Sequence, residues 1–362
     1  MLGLILANLR ARPVRTVLSM AAVSLQVFLL LFLMGLSTGI VQEWGKRVEG
    51  IGADLLVQPP NSSIFLGLSS AVLPEELTSS LKRIEGVQTV SPVLAVINTT
   101  SLSMIYGIDF NSYDQLGRGF LFHQGGRFQG PHDVIIDDIK AAANGLKVGD
   151  SMPLLNQTFR ICGIVEHGRG ARYFIPLRTA QEQVGVEGRV SMFWVKTDGD
   201  PAAVRQRIEQ LLPRHRVRLM DEYLSLMVSS NLPQMRPFTN AVILVGLIIT
   251  FLVVLLSMYT MVLERTREIG ILKAMGASRW TIVTLLLCEA LVIAVVGALA
   301  GVAASYLVRG IVMHLRPTLS IVITSWWLLQ GVVLALGGCV LGSVYPALRA
   351  AAADPVTALA YE

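Results

Sequence analysis

Four long apolar runs constrain this chain more than any other feature. A bilayer core takes about 20 apolar residues in helix, because a segment in hydrocarbon must satisfy its own backbone hydrogen bonds. Roughly Val17–Val41, Phe238–Leu263, Thr281–Val308 and Trp326–Tyr345 each reach that length. The first has no charged residue, and the third has only Glu289. The fourth opens on Trp326–Trp327, a pair suited to a membrane interface. Composition agrees: 53% of the 362 residues are hydrophobic and 15% are charged, against about 25% charged in ordinary soluble domains. The alternative for the first run is a cleaved signal peptide. It is too long for a typical h-region, and the three later spans make the protein integral in either case.

Lys and Arg in short loops set orientation. Arg10, Arg12 and Arg15 precede the first span, with no acid before Val17. Arg265, Arg267, Lys273 and Arg279 separate spans two and three, and Arg349 follows span four. The opposite short loop, 309–325, carries only Arg309 and Arg316. Both termini (1–41 with the first span, and the tail 346–362) and the loop 264–280 are therefore expected to face the cytoplasm from a multi-pass position in the cytoplasmic (inner) membrane. The insert 42–237 is then extracytoplasmic. The net charge of +5 is explained by this bias, without nucleic acid as a partner.

The insert reads as an α+β domain. "ADLLVQP", "PEELTSSLKRIEG" and "VQTVSPVLAV" give strand, helix, strand, with Pro74 opening the helix and Gly86 closing it. "SMFWVKTD", "PAAVRQRIEQLLP" and "RVRLMDEYL" repeat that order, with Pro201 opening the helix. Two β-α-β units from the two ends of the insert point to one layered subdomain. Between them, about 109–188, short strands and Gly-rich turns indicate a β-rich second lobe. The fold class is therefore an α-helical membrane protein with four transmembrane helices and a large extracytoplasmic α+β domain between helices 1 and 2. The first span is expected to continue as helix through "QEWGKRVEG", and "DEYLSLMVSSNLPQMRPF" returns the chain to span two.

Between spans two and three stands "ERTREIGILKAMGASRW", Glu264 to Trp280. A plain turn needs only a few residues. Here Ile269, Leu272 and Met275 recur at helical spacing, while Glu264, Arg265, Arg267 and Glu268 lie mostly off that stripe. Gly276 supplies a C-terminal stop, and Ser278 can cap the next helix. The expectation is a rigid helix–break–helix hairpin.

This stretch resembles the signature of FtsX/MacB-type ABC transporter permeases, the type VII systems. The Glu-Arg start, the Glu268-Ile269-Gly270 run and the Lys273-Ala-Met-Gly-Ala run all match. The N-terminal "ANLRARPVRTVLSMAAVSL" and the closing "YPALRAAAADPVTALAYE" are similar to the family's lead-in and tail, and "GLKVGDSMPL" and "YFIPLRTAQ" to pieces of its outer domain. The resemblance implies that the hairpin docks on a separate cytoplasmic ABC ATPase subunit, which would bind ATP and Mg. The chain itself holds no G-x-x-x-x-G-K-[ST] phosphate loop, and no cofactor is expected in it. The resemblance further implies two permease copies, as a homodimer or related heterodimer, set among membrane lipids, and it allows a periplasmic adaptor. Energy would pass through the membrane helices to the outer domain, a scheme called mechanotransmission. Arg265, Arg267 and Lys273 would give the charged contacts of docking, and Ile269, Leu272 and Met275 the apolar ones. The competing reading is a solvated loop with a membrane-anchoring stripe.

Three other features stand out. Glu289 sits roughly 13 Å from the interface at ~1.5 Å per residue. Such acids usually face protein, either as a structural contact or as part of transport. Gly297 and Gly301 form a small-xxx-small face, serving either a dimer interface or packing within one subunit. Cys162, Glu166 and His167 lie close in sequence, but spacing places no further ligand beside them, so no metal is expected, and no catalytic triad pattern occurs. Cys288 and Cys339 lie in apolar spans, so the insert has no disulfide framework. The function implied is a non-enzymatic permease that exports or extracts an amphipathic or lipid-linked substrate. The alternatives are a regulator of the same fold, activating a wall hydrolase or sensing a peptide, and a membrane scaffold with no motor.

Overall fold

The computed structural model describes residues 13–60, 73–98, 103–229, 236–264 and 266–352. Arg10, Arg12, Arg265 and the closing Asp-Pro segment lie outside the described residues, as do the side chains of Arg15 and Glu264. The chain divides into a helical unit (1–39, 233–315 and 319–362) and an inserted unit (40–232 and 316–318).

Four helices are long and apolar enough to cross a membrane. They are α1 (Pro13–Glu49), α8 (Arg236–Glu264), α10 (Arg279–Leu315) and α11 (Ser325–Ala352). Their packing rests on absent side chains. A Cβ on Gly297 would lie 2.8 Å from the Val23 Cβ and 2.9 Å from the Met20 carbonyl oxygen. One on Gly301 would lie 2.6 Å from the Ser24 carbonyl oxygen. These two glycines therefore seat α10 on α1 within one chain. Gly342 does the same for α11 on α8, since a Cβ there would lie 2.8 Å from the Phe251 carbonyl oxygen. Polar contacts join α1 to α8: Ser19 donates to Ser257 at 2.7 Å, and Thr250 donates to Gln26. Glu289 is fully buried, facing protein as an acid at that depth must.

The inserted unit is built on one twisted sheet. Strand β1 (Leu55–Gln58) pairs antiparallel with both β11 (Met192–Thr197) and β12 (Arg216–Leu219). The two β-α-β units thus interleave, with a strand from one end of the insert lying between two from the other. Asp54 pins the start of β1 by accepting from Lys196 Nζ, the Thr197 amide and the Thr197 hydroxyl, all at 2.8–2.9 Å. Next come β3 (Val87–Asn98) and β4 (Ser103–Ile108). The middle segment is β-rich and extends this same sheet. Its β9 (Tyr173–Pro176) runs parallel to β4, followed by β6 (Asp133–Asp137), β8 (Gln157–Val165) and β5 (Phe122–Gly125), with β7 (Ser151–Leu154) also on β8. A two-residue pair, β2 (Leu73–Pro74) with β10 (Arg189–Val190), stands apart.

Alternation along the strands loads both faces. Leu55, Val57, Phe193 and Val195 face one core, with Leu81 of α2 (Leu77–Lys82), Ala141 of α4 (Asp138–Asn144), Ala180 of α5 (Leu177–Val184) and Ile208 of α6 (Pro201–Leu211). Leu56 and Trp194 face the other, with Tyr113 of α3 (Phe110–Asp114), Val48 at the end of α1 and Tyr223 of α7 (Met220–Ser229). Helix α6 starts as its sequence indicates: Pro201 stands in the first turn and Asp200 caps it through the Ala202 amide. Pro74 does not open α2. It belongs to β2, and the helix begins at Leu77 after a turn through Glu75 and Glu76, because pairing with Arg189 holds Pro74 extended.

Overpacking a tight helix contact costs about 1–3 kcal/mol. Gly301→Leu is expected to lower the thermal unfolding midpoint of the detergent-solubilised protein. Gly310→Leu, where a Cβ meets nothing within 4 Å, should leave it unchanged or raised.

Candidate functional site

After α8, the hairpin forms helix α9 (Thr266–Ala274) and turns into α10. The turn is closed by two backbone bonds: Ala277 N–H to the Leu272 carbonyl and Gly276 N–H to the Lys273 carbonyl, both 3.0 Å. This is the Schellman arrangement, and it requires the left-handed conformation that Gly276 adopts, with φ +95°. Ser278 then caps α10, its hydroxyl accepting from the Thr281 amide at 3.2 Å.

The structure sorts the predicted residues differently from the periodicity. Ile269 and Gly270 are buried, and Ile269 joins the core of the helical unit beside Met261, Ile282 and Ala351. Lys273 is half-buried and donates to the Ala351 carbonyl at the end of α11, at 2.8 Å. Leu272 is half-buried. Ile269 and Lys273 therefore hold α9 against the helical unit. The outer face carries Arg267, Glu268, Ile271, Met275 and Ser278, all exposed, with Trp280 beyond. Met275 is 72% and Trp280 75% exposed. Residues 267, 271 and 275 are spaced by four, so they align on one side of the helix. Periodicity alone does not mark Ile271 as a contact, because apolar residues occupy both sides of this short helix. Close by, Arg349 of α11 donates to the Tyr259 hydroxyl of α8 at 2.8 Å and lies over its ring.

The inserted unit contains a second candidate surface that its sequence does not reveal. An open cleft of about 990 Å³ lies at the ends of β4 and β9, lined in part by Glu76, Lys82, Pro92, Phe110, Phe128 and Arg178. Its wall mixes aromatic and proline surface with charges of both signs. Phe110 of this wall stacks on Phe120 at 5.5 Å between centroids, and Arg127 lies over its ring.

Cys162, Glu166 and His167 do not converge. The Cys162 thiol is buried against the Val134 carbonyl, and burial pushes its pKa up to about 12, which leaves it without the thiolate a metal or an electrophile needs. His167 instead bonds Asp138 at 3.0 Å, and Glu166 is exposed. Among the described residues no group of three His, Cys, Asp or Glu side chains is placed to hold a metal ion.

Two family models match the chain. The MacB-like periplasmic core domain covers residues 16–211, and the FtsX-like permease C-terminal domain covers residues 240–355. The chain belongs to the FtsX/MacB-type ABC transporter permeases. Among curated relatives, it is similar to the macrolide export ATP-binding/permease protein MacB of Sodalis glossinidius, 27% identical over 401 residues, covering 100% of this chain and 60% of that protein. The Bdellovibrio bacteriovorus protein of the same name is 24% identical over 397 residues, covering 98% and 60%. The chain thus spans 60% of the length of these relatives. Among solved structures, the periplasmic region of MacB from Actinobacillus actinomycetemcomitans aligns with 51% of this chain and 96% of its own, at 17% identity and a TM-score of 0.40.

The two sides of α9 should respond differently to truncation. Ile269→Ala is expected to cost about 2–4 kcal/mol, as for a buried aliphatic side chain. Ile271→Ala should stay within about 0.5 kcal/mol, as for an exposed one. Thermal unfolding of the purified variants checks both.

Proposed function

We propose that this permease is driven by a separate cytoplasmic ABC ATPase that docks on the hairpin 264–280. ATP and Mg bind in that partner, and the work is delivered to the inserted domain on the far side of the membrane. The observation that carries the reading is the outer face of α9. It presents Arg267, Ile271 and Met275 on a helix whose opposite side is locked into the bundle by Ile269 and Lys273. Exposed apolar residues flanked by charge on a rigid element suit a protein partner. A Schellman turn and a Ser cap at either side of Gly276 keep that element from absorbing force by bending.

The cargo is an amphipathic or lipid-linked molecule, exported or extracted outside the membrane core. Support comes from the open cleft with its mixed aromatic and charged wall, and from the export activity in the names of the curated relatives. The permease acts as a pair of copies, with both termini in the cytoplasm of the cell whose inner membrane it occupies.

The test is co-expression with an ATPase subunit from the same genome. Wild type is expected to co-purify with it and raise its ATPase rate. Ile271→Asp with Met275→Asp should abolish co-purification while leaving the unfolding midpoint unchanged. Binding that survives this double substitution places the motor elsewhere on the chain.

A further inference from the structure

The loop between α10 and α11 is tied to α1 within the helical unit. A Cβ on Gly39 would sit 1.9 Å from the Ser320 carbonyl oxygen, and the Val322 amide donates to the Gly35 carbonyl at 2.9 Å. Helix and loop touch backbone to backbone, with no room for a side chain between them.

Residues 316–318 of the same loop group with the inserted unit. There one guanidinium gathers three partners. Arg172, immediately before β9, donates to the Glu43 carboxylate in the last turns of α1, to the Thr318 carbonyl at 3.3 Å and to Asp137 at 3.1 Å. Arg47 adds a second cation to Glu43 at 3.2 Å. The Asp137 side chain is 2% exposed and that of Arg172 11%. Asp137 ends β6 and caps α4 through the Lys140 amide. Burial raises its pKa, and the Arg172 charge opposes that rise.

The preceding residues wrap the end of α1. The Gly170 amide donates to the Arg47 carbonyl at 2.8 Å, and Gly50 approaches the Gly168 carbonyl so closely that a Cβ would lie 1.9 Å from it. Tyr113 donates to the Arg169 carbonyl at 2.7 Å, and Arg169 donates to the Gly119 carbonyl at 2.7 Å. Segment 168–172 is thus a collar, fixed to the sheet on one side and to α1 on the other.

We infer that Arg172 is a positioning residue for coupling. It fastens α1 and the α10–α11 loop jointly onto the sheet, so that displacement of these two segments reaches the inserted domain through β6 and β9. The inference rests on the ATP-driven reading above. A guanidinium, with five donors in a fixed planar fork, reaches two carboxylates and a carbonyl at once in this arrangement. Lysine offers a point charge without that geometry. Removing Arg172 takes from the buried Asp137 the guanidinium that it bonds, while Glu43 keeps Arg47.

The experiment is hydrogen–deuterium exchange on the full-length permease with its ATPase in nanodiscs, without nucleotide and with ATP plus vanadate. The proteins are wild type, Arg172→Gln, Arg172→Lys, Glu43→Gln and, as an exposed control, Arg214→Gln. Without nucleotide, Arg172→Gln is expected to speed exchange tenfold or more in peptides covering 168–172 and 316–320, with α6 unchanged. Unchanged protection of 316–320 overturns the tether. With nucleotide, exchange in β6 and β9 should change in wild type and Arg214→Gln. Arg172→Gln and Arg172→Lys should lose that response yet keep hydrolysing ATP. A wild-type response in both Arg172 variants overturns the coupling role. No response in wild type overturns the ATP-driven reading, and this inference with it. If Arg172→Gln does not fold, Glu43→Gln carries the same two expectations, and its failure to show them has the same meaning.

Discussion

Helices in hydrocarbon gain little from hiding apolar surface, since lipid tails are as apolar as leucine. What holds such helices together is close contact, and close contact needs small residues. The helical unit depends on this. Gly297 and Gly301 bring α10 onto α1, and Gly342 brings α11 onto α8. The seat for α9 belongs to the same core, which holds Ile269 together with Ile282 and Ala351. The exposed face of the hairpin is therefore aimed by glycines several turns away, and a change at those contacts would disturb the hairpin without touching it.

The inserted unit solves a different problem. In water a sheet must cover two faces. It does so with α2, α4, α5 and α6 on one face, and with α3, α7 and the last turns of α1 on the other. The end of a membrane helix thus serves as core material for the attached domain. Val48 and Ile51 are as deeply buried as any strand residue, and the collar 168–172 closes over them.

Much of this is legible from the residues. Apolar run length is a local property, so the four spans and the break at Gly276 can be read directly. Asp200–Pro201 marks a helix start because capping is also local. What is not legible depends on partners distant in sequence. Ile269 and Ile271 are equally apolar neighbours, and only packing within the helical unit decides which is covered. Lys273 shows only a charge at helical spacing, and its bond to the Ala351 carbonyl joins residues 78 apart. Pro74 reads as a helix opener until pairing with Arg189 holds it in a strand. Arg172 carries no signal at all, since its partners are residues 43, 137 and 318.

The position of β1 has a consequence for how the molecule is made. Leu55 pairs with Val195 on one side and Leu219 on the other. When β1 leaves the ribosome, neither neighbour exists, and both are synthesised only at the far end of the insert. Pairings of such sequence separation form slowly, because the intervening chain must be drawn together first. An unpaired, apolar strand is also an aggregation hazard while it waits. A ribosome that stalls before β11 leaves a polypeptide whose β1 has neither of its neighbours, attached to a finished first membrane helix.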